Sequence, residues 1–262
     1  WLPLVHGPHR KLRSERGFAS QPDVVLRCRE AADALGATPL DRPEDVAVNP
    51  RTGNVYLACT QNLGRDEGVA EVGGRRLDTR TDRASPRAPN TAGHIIEVLE
   101  RGADAGATSF TWEIFLLAGA PRGGGLVAAL PTEHAGSLTA ELTYFGGATD
   151  PAELSAFANP DNLGFDADGN LWIVTDGTQP GKFNDGCFAC PTDGPDRGQV
   201  RQFMSGPIGA EVCGCEFTND GATLFLTLEH PAEAGSATNP QSHWPDGGDA
   251  ASRPRVIAIE PE

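Results

Sequence analysis

Three acidic residues occupy similar positions in three repeated segments of the sequence, and together they could bind metal ions. The segments cover residues 44–60, 161–176 and 213–229. Each has a short apolar strand, a turn built from Asn or Asp with Gly, and a second β-rich strand. Glu44 and Asp161 open the first two segments, and Glu211 lies just before the third. Because hard cations such as calcium prefer oxygen ligands, the three carboxylates are candidate metal ligands. The alternative is that they are exposed or capping residues.

The cysteines suggest a second kind of metal site, but their spacing argues against it. Four of the six cysteines form two close pairs, which are Cys187 with Cys190 and Cys213 with Cys215. Four thiolates could bind zinc. Residues 186–191 are predicted to form a short strand, however, and side chains alternate between the faces of a strand. Cys187 and Cys190 would then point to opposite faces, so we expect buried apolar thiols or a disulfide instead.

The elements that must position the acidic residues are hairpins. Repeated hairpins at long intervals are typical of a β-propeller, whose blades are four-stranded sheets. Three further strands are predicted, at residues 93–99, 110–117 and 198–204. Long loops are predicted at residues 64–92, 119–141 and 235–253, and one helix at residues 22–35. Asp166, Asp168 and Asn170 begin like a calcium-binding EF-hand loop but lack its twelfth-position glutamate, so they are predicted to form a hairpin turn.

Composition excludes several classes of function. The 21 Lys and Arg residues against 36 Asp and Glu residues give a net charge of −15 over 262 residues. This charge argues against binding to nucleic acid or to anionic membranes. No apolar run is long enough to span a bilayer. The sequence also lacks a G-x-S-x-G elbow, a P-loop and an H-E-x-x-H motif.

Three motifs in order resemble segments of the PhoX-type alkaline phosphatases. The first is Arg42–Ala58, the second is Asp161–Gly177, and the third comprises Gly209–Gly214, Phe217–Gly221 and Leu226–Pro231. The resemblance runs from Trp1 to about Pro231. It implies an all-β fold, a six-bladed β-propeller with long inter-blade loops. Residues 1–262 would then be a single propeller domain or the C-terminal portion of one.

The resemblance also implies an activity, cofactors and a location. The family hydrolyses small phosphate monoesters at a site with Ca²⁺ and Fe³⁺, in the periplasm or outside the cell. We expect the protein to be a monomer. One family feature is absent from this sequence: the Cys-Glu-Glu segment whose cysteine binds iron, since Cys28 is followed by Arg29 and Glu30. This absence favours one alternative, a catalytically inactive, calcium-binding propeller that binds a ligand or partner. The other alternative is a propeller that hydrolyses another ester such as a lactone, and the three motifs argue against it.

With the resemblance, we predict that Glu44, Asp161 and Glu211 are metal ligands. Arg42 is predicted to bind substrate phosphate, because a guanidinium group can donate two parallel hydrogen bonds to phosphate. Arg42 and Glu44 would then be the catalytic residues. The alternative role for Arg42 is a structural salt bridge.

Weaker candidates have side chains that could add oxygen ligands. These are Asn62, Asn162 and Glu229. His230 follows Glu229 at the end of the third segment and is predicted to be a hydrogen-bonded structural residue rather than a ligand.

Overall fold

The computed structural model describes residues 1–8, 11–65, 68–72, 75–121, 138–139, 142–177 and 179–261. The chain divides into two compact units, Trp1–Pro39 and Leu40–Glu262. Among the described residues, no helix has both the length and the apolar character needed to cross a bilayer.

The first unit is helical. The predicted helix at 22–35 is two helices, α1 (Gln21–Leu26) and α2 (Cys28–Leu35), which are separated at Arg27. The Ser20 side chain accepts a hydrogen bond from a backbone N–H of the first turn of α1, as an N-cap does. Gly36 ends α2 with φ 83°, a left-handed conformation that glycine adopts without a steric penalty. The buried side chains of this unit are Leu12, Phe18, Val24 and Ala31.

The second unit is built from strands. In chain order the strands of the described residues are β1 (Pro43–Val48), β2 (Val55–Cys59), β3 (Val69–Val72), β4 (Arg75–Asp78), β5 (Arg87–Ala88), β6 (His94–Glu100), β7 (Phe110–Leu117), β8 (Leu138–Thr139), β9 (Tyr144–Phe145), β10 (Pro160–Phe165), β11 (Leu171–Thr175), β12 (Gly186–Cys190), β13 (Arg201–Ser205), β14 (Glu211–Phe217), β15 (Leu224–Glu229) and β16 (Arg255–Ile259). The chain is therefore mostly β, as predicted.

Three antiparallel sheets position the acidic residues. Their strand orders are β1-β2-β6-β7-β9, β10-β11-β12-β13 and β14-β15-β16. The three predicted hairpins are confirmed as β1-β2, β10-β11 and β14-β15, all antiparallel. The first strands of the three sheets are neighbours, because β1 packs against β10 and β10 packs against β14.

The turns and remaining strands agree with the sequence pattern in most places. The predicted strands at 93–99, 110–117 and 198–204 correspond to β6, β7 and β13. Asp166 Oδ1 accepts hydrogen bonds from the backbone N–H groups of Asp168 and Asn170, which confirms a turn.

The long loops agree only in part. The prediction of an uninterrupted loop at 64–92 is wrong, because β3 and β4 form a small hairpin there and β5 follows. Most of the predicted loop at 119–141 lies outside the described residues. Residues 235–253 contain turns and no strand.

Two apolar clusters pack between the sheets. The first lies between the β1 and β10 sheets and includes Tyr56, Phe115, Phe157 and Phe188. The second lies between the β10 and β14 sheets and includes Val174, Cys187, Val212, Cys215 and Leu226. Complete burial of such a side chain contributes roughly 1.5–3 kcal/mol. These clusters therefore hold the three first strands next to one another.

The cysteines are buried thiols for the most part. Cys187 belongs to the second apolar cluster and Cys190 to the first, so they point to opposite faces of β12, as predicted. All six cysteines are free, and four of them, Cys59, Cys187, Cys190 and Cys215, are buried. The structure therefore contains neither the four-thiolate zinc site nor a disulfide.

A buried polar cluster lies beside the first sheet. Arg65 forms an ion pair with Asp41, and Asn90 Nδ2 donates a hydrogen bond of 2.9 Å to Asp41 Oδ2. His94 Nδ1 lies 3.0 Å from the same Asn90 nitrogen. Arg87 donates hydrogen bonds to Asn90 Oδ1 and to backbone carbonyl groups. Burial lowers the pKa of His94, so its imidazole is neutral at physiological pH.

Candidate metal centre

Three neighbouring strands bring the predicted ligands together. Glu44 lies in β1, Asp161 in β10 and Glu211 at the start of β14. Each of the three residues is at or next to the first residue of the first strand of its sheet, and the first strands are adjacent. The charges of Glu211 and Glu44 both act on the Asp161 carboxyl group. The equivalent positions predicted from the repeats therefore converge in space.

Two further carboxylates act on Asp161, in addition to those of Glu44 and Glu211. Asp45 follows Glu44, and Asp176 follows the end of β11; both also raise the pKa of Asp161. Glu44, Asp45, Asp161, Asp176 and Glu211 are together called the carboxylate cluster below. Burial, and after it the charge of Glu211, also raises the pKa of Asp176.

Asp161 is the buried centre of the cluster. Its residue surface is only 8% exposed. Burial, followed by the charges of Glu211 and Glu44, raises the pKa of Asp161 to about 7. Within the described part of the chain, its carboxylate makes no hydrogen bond or ion pair. A half-buried carboxylate beside four other carboxylates is destabilised in its charged form, and a bound cation would offset this.

Glu211 connects the cluster to its polar neighbours. Cys213 Sγ donates a hydrogen bond of 2.8 Å to Glu211 Oε1, and His230 Nε2 lies 3.0 Å from Glu211 Oε2. The ligand atoms of Asp161, Glu211 and Cys213 all lie within 4.8 Å of one another. The same holds for Glu211, Glu229 and His230, because Glu211 and Glu229 are paired across β14 and β15. Burial, and after it the bond to Glu211, raises the pKa of the Cys213 thiol.

Arg42 is next to the cluster and makes an ion pair. Its Nη2 lies 3.0 Å from Glu44 Oε1, and its side chain is 56% exposed. The salt bridge considered from the sequence is thus present, and much of the guanidinium group still faces solvent.

Three non-glycine residues with left-handed backbone flank the cluster. They are Arg42 before β1 (φ 48°), Asn159 before β10 (φ 53°) and His230 after β15 (φ 30°). A left-handed conformation costs such residues roughly 1–2 kcal/mol. Strain of this kind is concentrated at functional sites in proteins, so its position here favours a functional role for the cluster.

Comparison with known proteins identifies the family. A family model described as alkaline phosphatase PhoX matches residues 1–232. The chain belongs to the PhoX alkaline phosphatase family. The resemblance inferred from the three motifs is therefore confirmed.

A solved member of the family has the same fold. The structure of Pseudomonas fluorescens PhoX in complex with vanadate, a transition state analogue, matches with a TM-score of 0.73 and 33% sequence identity. The match covers 99% of this chain and 40% of that chain, so the chain spans about two fifths of the length of this relative. No curated protein matches the chain.

The weaker candidates differ in where they lie. Glu229 is beside Glu211, as described above. Asn162 Oδ1 accepts a hydrogen bond of 2.8 Å from the Gly214 N–H and so connects β10 to β14. Asn62 instead donates to Asp41 in the buried polar cluster. The structure therefore brings Glu229 next to a predicted ligand, gives Asn162 a contact between sheets, and does not bring Asn62 to the carboxylates.

Sequence reasoning missed part of the site. It did not select Asp45 or Asp176, it considered Cys213 only for a four-thiolate zinc site, and it gave His230 only the hydrogen-bonded role that the structure contains. A signal existed for Asp176 and His230, because each immediately follows the second strand of a repeated hairpin. In an antiparallel hairpin the start of the first strand lies beside the end of the second, so these residues had to lie near the predicted ligands.

Proposed function

We propose that the chain provides the carboxylate cluster of a metal-dependent phosphatase of the PhoX type, which hydrolyses phosphate monoesters with calcium and iron. One observation carries this proposal. The half-buried carboxylate of Asp161 makes no hydrogen bond or ion pair among the described residues, and four other carboxylates act on it. Bound cations would neutralise such an arrangement, and Asp161 has no ion pair among the described residues.

The donor groups fit the proposed ions. Asp161, Glu211 and Glu44 would hold them, since carboxylate oxygens suit calcium and ferric iron. Metal ions at such a site lower the pKa of a bound water and neutralise charge on a phosphoryl group.

The chain's own residues would bind and orient the substrate. The exposed guanidinium group of Arg42 would donate hydrogen bonds to a phosphate oxygen. Glu44 would orient Arg42 through their ion pair at 3.0 Å. The contacts of Glu211 with Cys213 and His230 would fix the direction of its carboxylate. Support for a phosphate substrate comes from the family and from the vanadate bound by the relative from Pseudomonas fluorescens.

The proposal includes the architecture and the location. We take the three sheets to be consecutive blades of a six-bladed propeller, because their first strands are neighbours and each sheet is an antiparallel meander. A periplasmic or secreted location is what the family resemblance implies. We expect a monomer, and a small phosphate monoester is the expected substrate.

The proposal is tested by assaying p-nitrophenyl phosphate hydrolysis with calcium and iron and again after chelation. We expect turnover that chelation abolishes. Asp161→Asn should lower the metal content, and it should lower turnover at least about 100-fold, the scale of a lost electrostatic contact at a reacting centre. Asp168→Asn is the matched control, because Asp168 is an exposed carboxylate at the turn of the same hairpin. Metal binding without turnover on any phosphate monoester would overturn the phosphatase and favour the inactive calcium-binding module.

A further inference from the structure

Asp176 is the one member of the carboxylate cluster that lies outside a strand. It directly follows β11, and its backbone N–H donates a hydrogen bond of 3.1 Å to the carbonyl group of Asn159. Burial chiefly raises the pKa of Asp176, the charge of Glu211 raises it further, and the charge of Arg42 lowers it. Asp176 is therefore within electrostatic reach of a predicted ligand and of the predicted phosphate-binding residue, and contacts other than a strand ladder must hold it there.

Asp185 holds the residues on both sides of Asp176. Its Oδ1 accepts a hydrogen bond of 2.8 Å from the Thr175 hydroxyl group and one of 3.1 Å from the Gly177 N–H. Thr175 is fully buried, so its hydroxyl group depends on protein partners. Because one carboxylate bonds to the residue before and to the residue after Asp176, it restrains the backbone that directs the Asp176 side chain.

Gln179 extends this contact to the strand that carries Asp161. Its Nε2 donates a hydrogen bond of 2.7 Å to Asp185 Oδ1 and one of 2.8 Å to the carbonyl group of Ala158. Its Oε1 accepts a hydrogen bond of 2.8 Å from the Ala158 N–H. Ala158 is followed by Asn159, whose carbonyl group bonds to Asp176, and then by β10. The contact between Asp185 and Gln179 therefore joins the end of β11 to the entry of β10.

Asp185 is itself anchored to the two other strands of the same sheet. It comes directly before β12, and its backbone carbonyl group accepts a hydrogen bond of 2.7 Å from the N–H of Gly206, which directly follows β13. Burial raises the pKa of Asp185 to about 6, although its three donors lower it, so the carboxylate is charged above neutral pH. A charged acceptor forms stronger hydrogen bonds than a neutral one, which suits Asp185 to hold a segment without a strand partner.

We propose that Asp185 is a positioning residue of the carboxylate cluster, which holds residues 175–177 so that the Asp176 carboxylate keeps its place among the other four. Asp185 acts through Asp176 and does not itself touch substrate. This inference rests on the proposed function, because the position of Asp176 matters only if the cluster binds cations. Removal of such an outer partner of a metal site typically lowers metal affinity or activity roughly 10- to 100-fold.

Calcium binding by the metal-free protein is the readout, because it does not depend on turnover. In equilibrium dialysis, Asp185→Ala should bind calcium at least about 10-fold more weakly than the wild type. Asp185→Asn keeps an acceptor oxygen for the three donors and should retain most of the affinity. Asp166→Ala is the matched control, because the Asp166 carboxylate accepts four hydrogen bonds at the other end of the same hairpin. It should lower stability in urea unfolding without changing the calcium affinity.

The other outcomes separate this inference from the proposed function. Equal calcium affinity in Asp185→Ala and Asp166→Ala would overturn the positioning role, even if the wild type hydrolyses p-nitrophenyl phosphate. Calcium binding by the wild type without turnover would overturn the proposed phosphatase alone, and the absence of both would overturn both. If Asp185→Ala fails to fold, Thr175→Val replaces it, because valine keeps the branched shape and lacks the hydroxyl group that bonds to Asp185. Thr175→Val should also weaken calcium binding, and an unchanged affinity would overturn the positioning role.

Discussion

Asp45 Oδ2 accepts a hydrogen bond of 2.8 Å from the backbone N–H of Leu163, 118 residues later in the chain. This contact joins β1 to β10 one residue after Glu44 and two residues after Asp161. It therefore fixes the separation of these two predicted ligands. Asp45 Oδ1 accepts a second bond of 2.7 Å, from the N–H of Val46. Asp45 therefore acts both as a charge in the carboxylate cluster and as a link between two sheets.

The two roles of Asp45 are separable by substitution. Asp45→Asn keeps an acceptor for Leu163 but removes the charge, whereas Asp45→Ala removes both. We expect the Ala variant to be less stable than the Asn variant by about 1 kcal/mol, the net contribution of one such hydrogen bond. Urea unfolding of the metal-free proteins measures the difference. Equal stability of the two variants would mean that the contact between β1 and β10 contributes nothing.

Removal of the Asp161 charge should stabilise the metal-free protein at alkaline pH. The folded pKa of Asp161 is raised to about 7, above its ordinary value of 3.8. A carboxyl group with a raised pKa favours folding below its unfolded pKa, and this contribution is lost as the pH rises through the folded pKa. Wild type should therefore be less stable than Asp161→Asn at pH 8, and the gap should close towards pH 4.

With calcium, wild type should become more stable than Asp161→Asn at pH 8. This reversal of the order of stability is the control for the Asp161 comparison. Binding to the folded state alone stabilises it in proportion to affinity, and only the wild type keeps the full ligand set. Thermal unfolding at pH 8 with calcium and with a chelator gives the four values required. If calcium stabilises both proteins equally, Asp161 is not a ligand for it.

His94 should make the protein sensitive to mild acid. Burial in particular lowers the pKa of His94 below its ordinary value of 6.5; Arg87 and Arg65 lower it further, whereas Asp41 and the Ala84 backbone raise it. As the pH falls below 6.5, the unfolded chain binds a proton at His94 before the folded chain does, so stability decreases. In urea unfolding between pH 7 and 5, wild type should lose more stability than His94→Gln. Equal losses would contradict this assignment.

The periodic features of the structure could be predicted from the sequence, and its irregular features could not. Turn residues and strand alternation predict the three hairpins and the shared position of Glu44, Asp161 and Glu211. Cys215 lies in the apolar cluster because of a bulge at Gly214, whereas its Cys-Gly-Cys context in the sequence pairs it with Cys213. A bulge changes which face a side chain takes without changing the residue pattern that reveals the strand.

The contacts between sheets were also beyond prediction. Asp45 meets Leu163 because two hairpins pack side by side, and a distance of 118 residues leaves no local signal for that contact. Asn62 shows the converse. This amide follows the first segment in the sequence, yet it bonds to Asp41, because the chain after β2 turns towards the buried polar cluster.

Substitution of Arg42 tests whether its guanidinium group binds substrate phosphate or serves only the ion pair with Glu44. If its guanidinium group binds phosphate, Arg42→Ala should lower kcat/KM for p-nitrophenyl phosphate about 100-fold. Arg42→Lys should lower kcat/KM less, because lysine keeps the charge but cannot donate the two parallel hydrogen bonds. Arg51→Ala is the matched control, since Arg51 is an exposed arginine of the same hairpin that lies 3.7 Å from Asp168. If Arg42 serves only its ion pair with Glu44, kcat/KM should stay near wild type and stability should fall by under about 1 kcal/mol, as for exposed ion pairs. That result would remove Arg42 from the site.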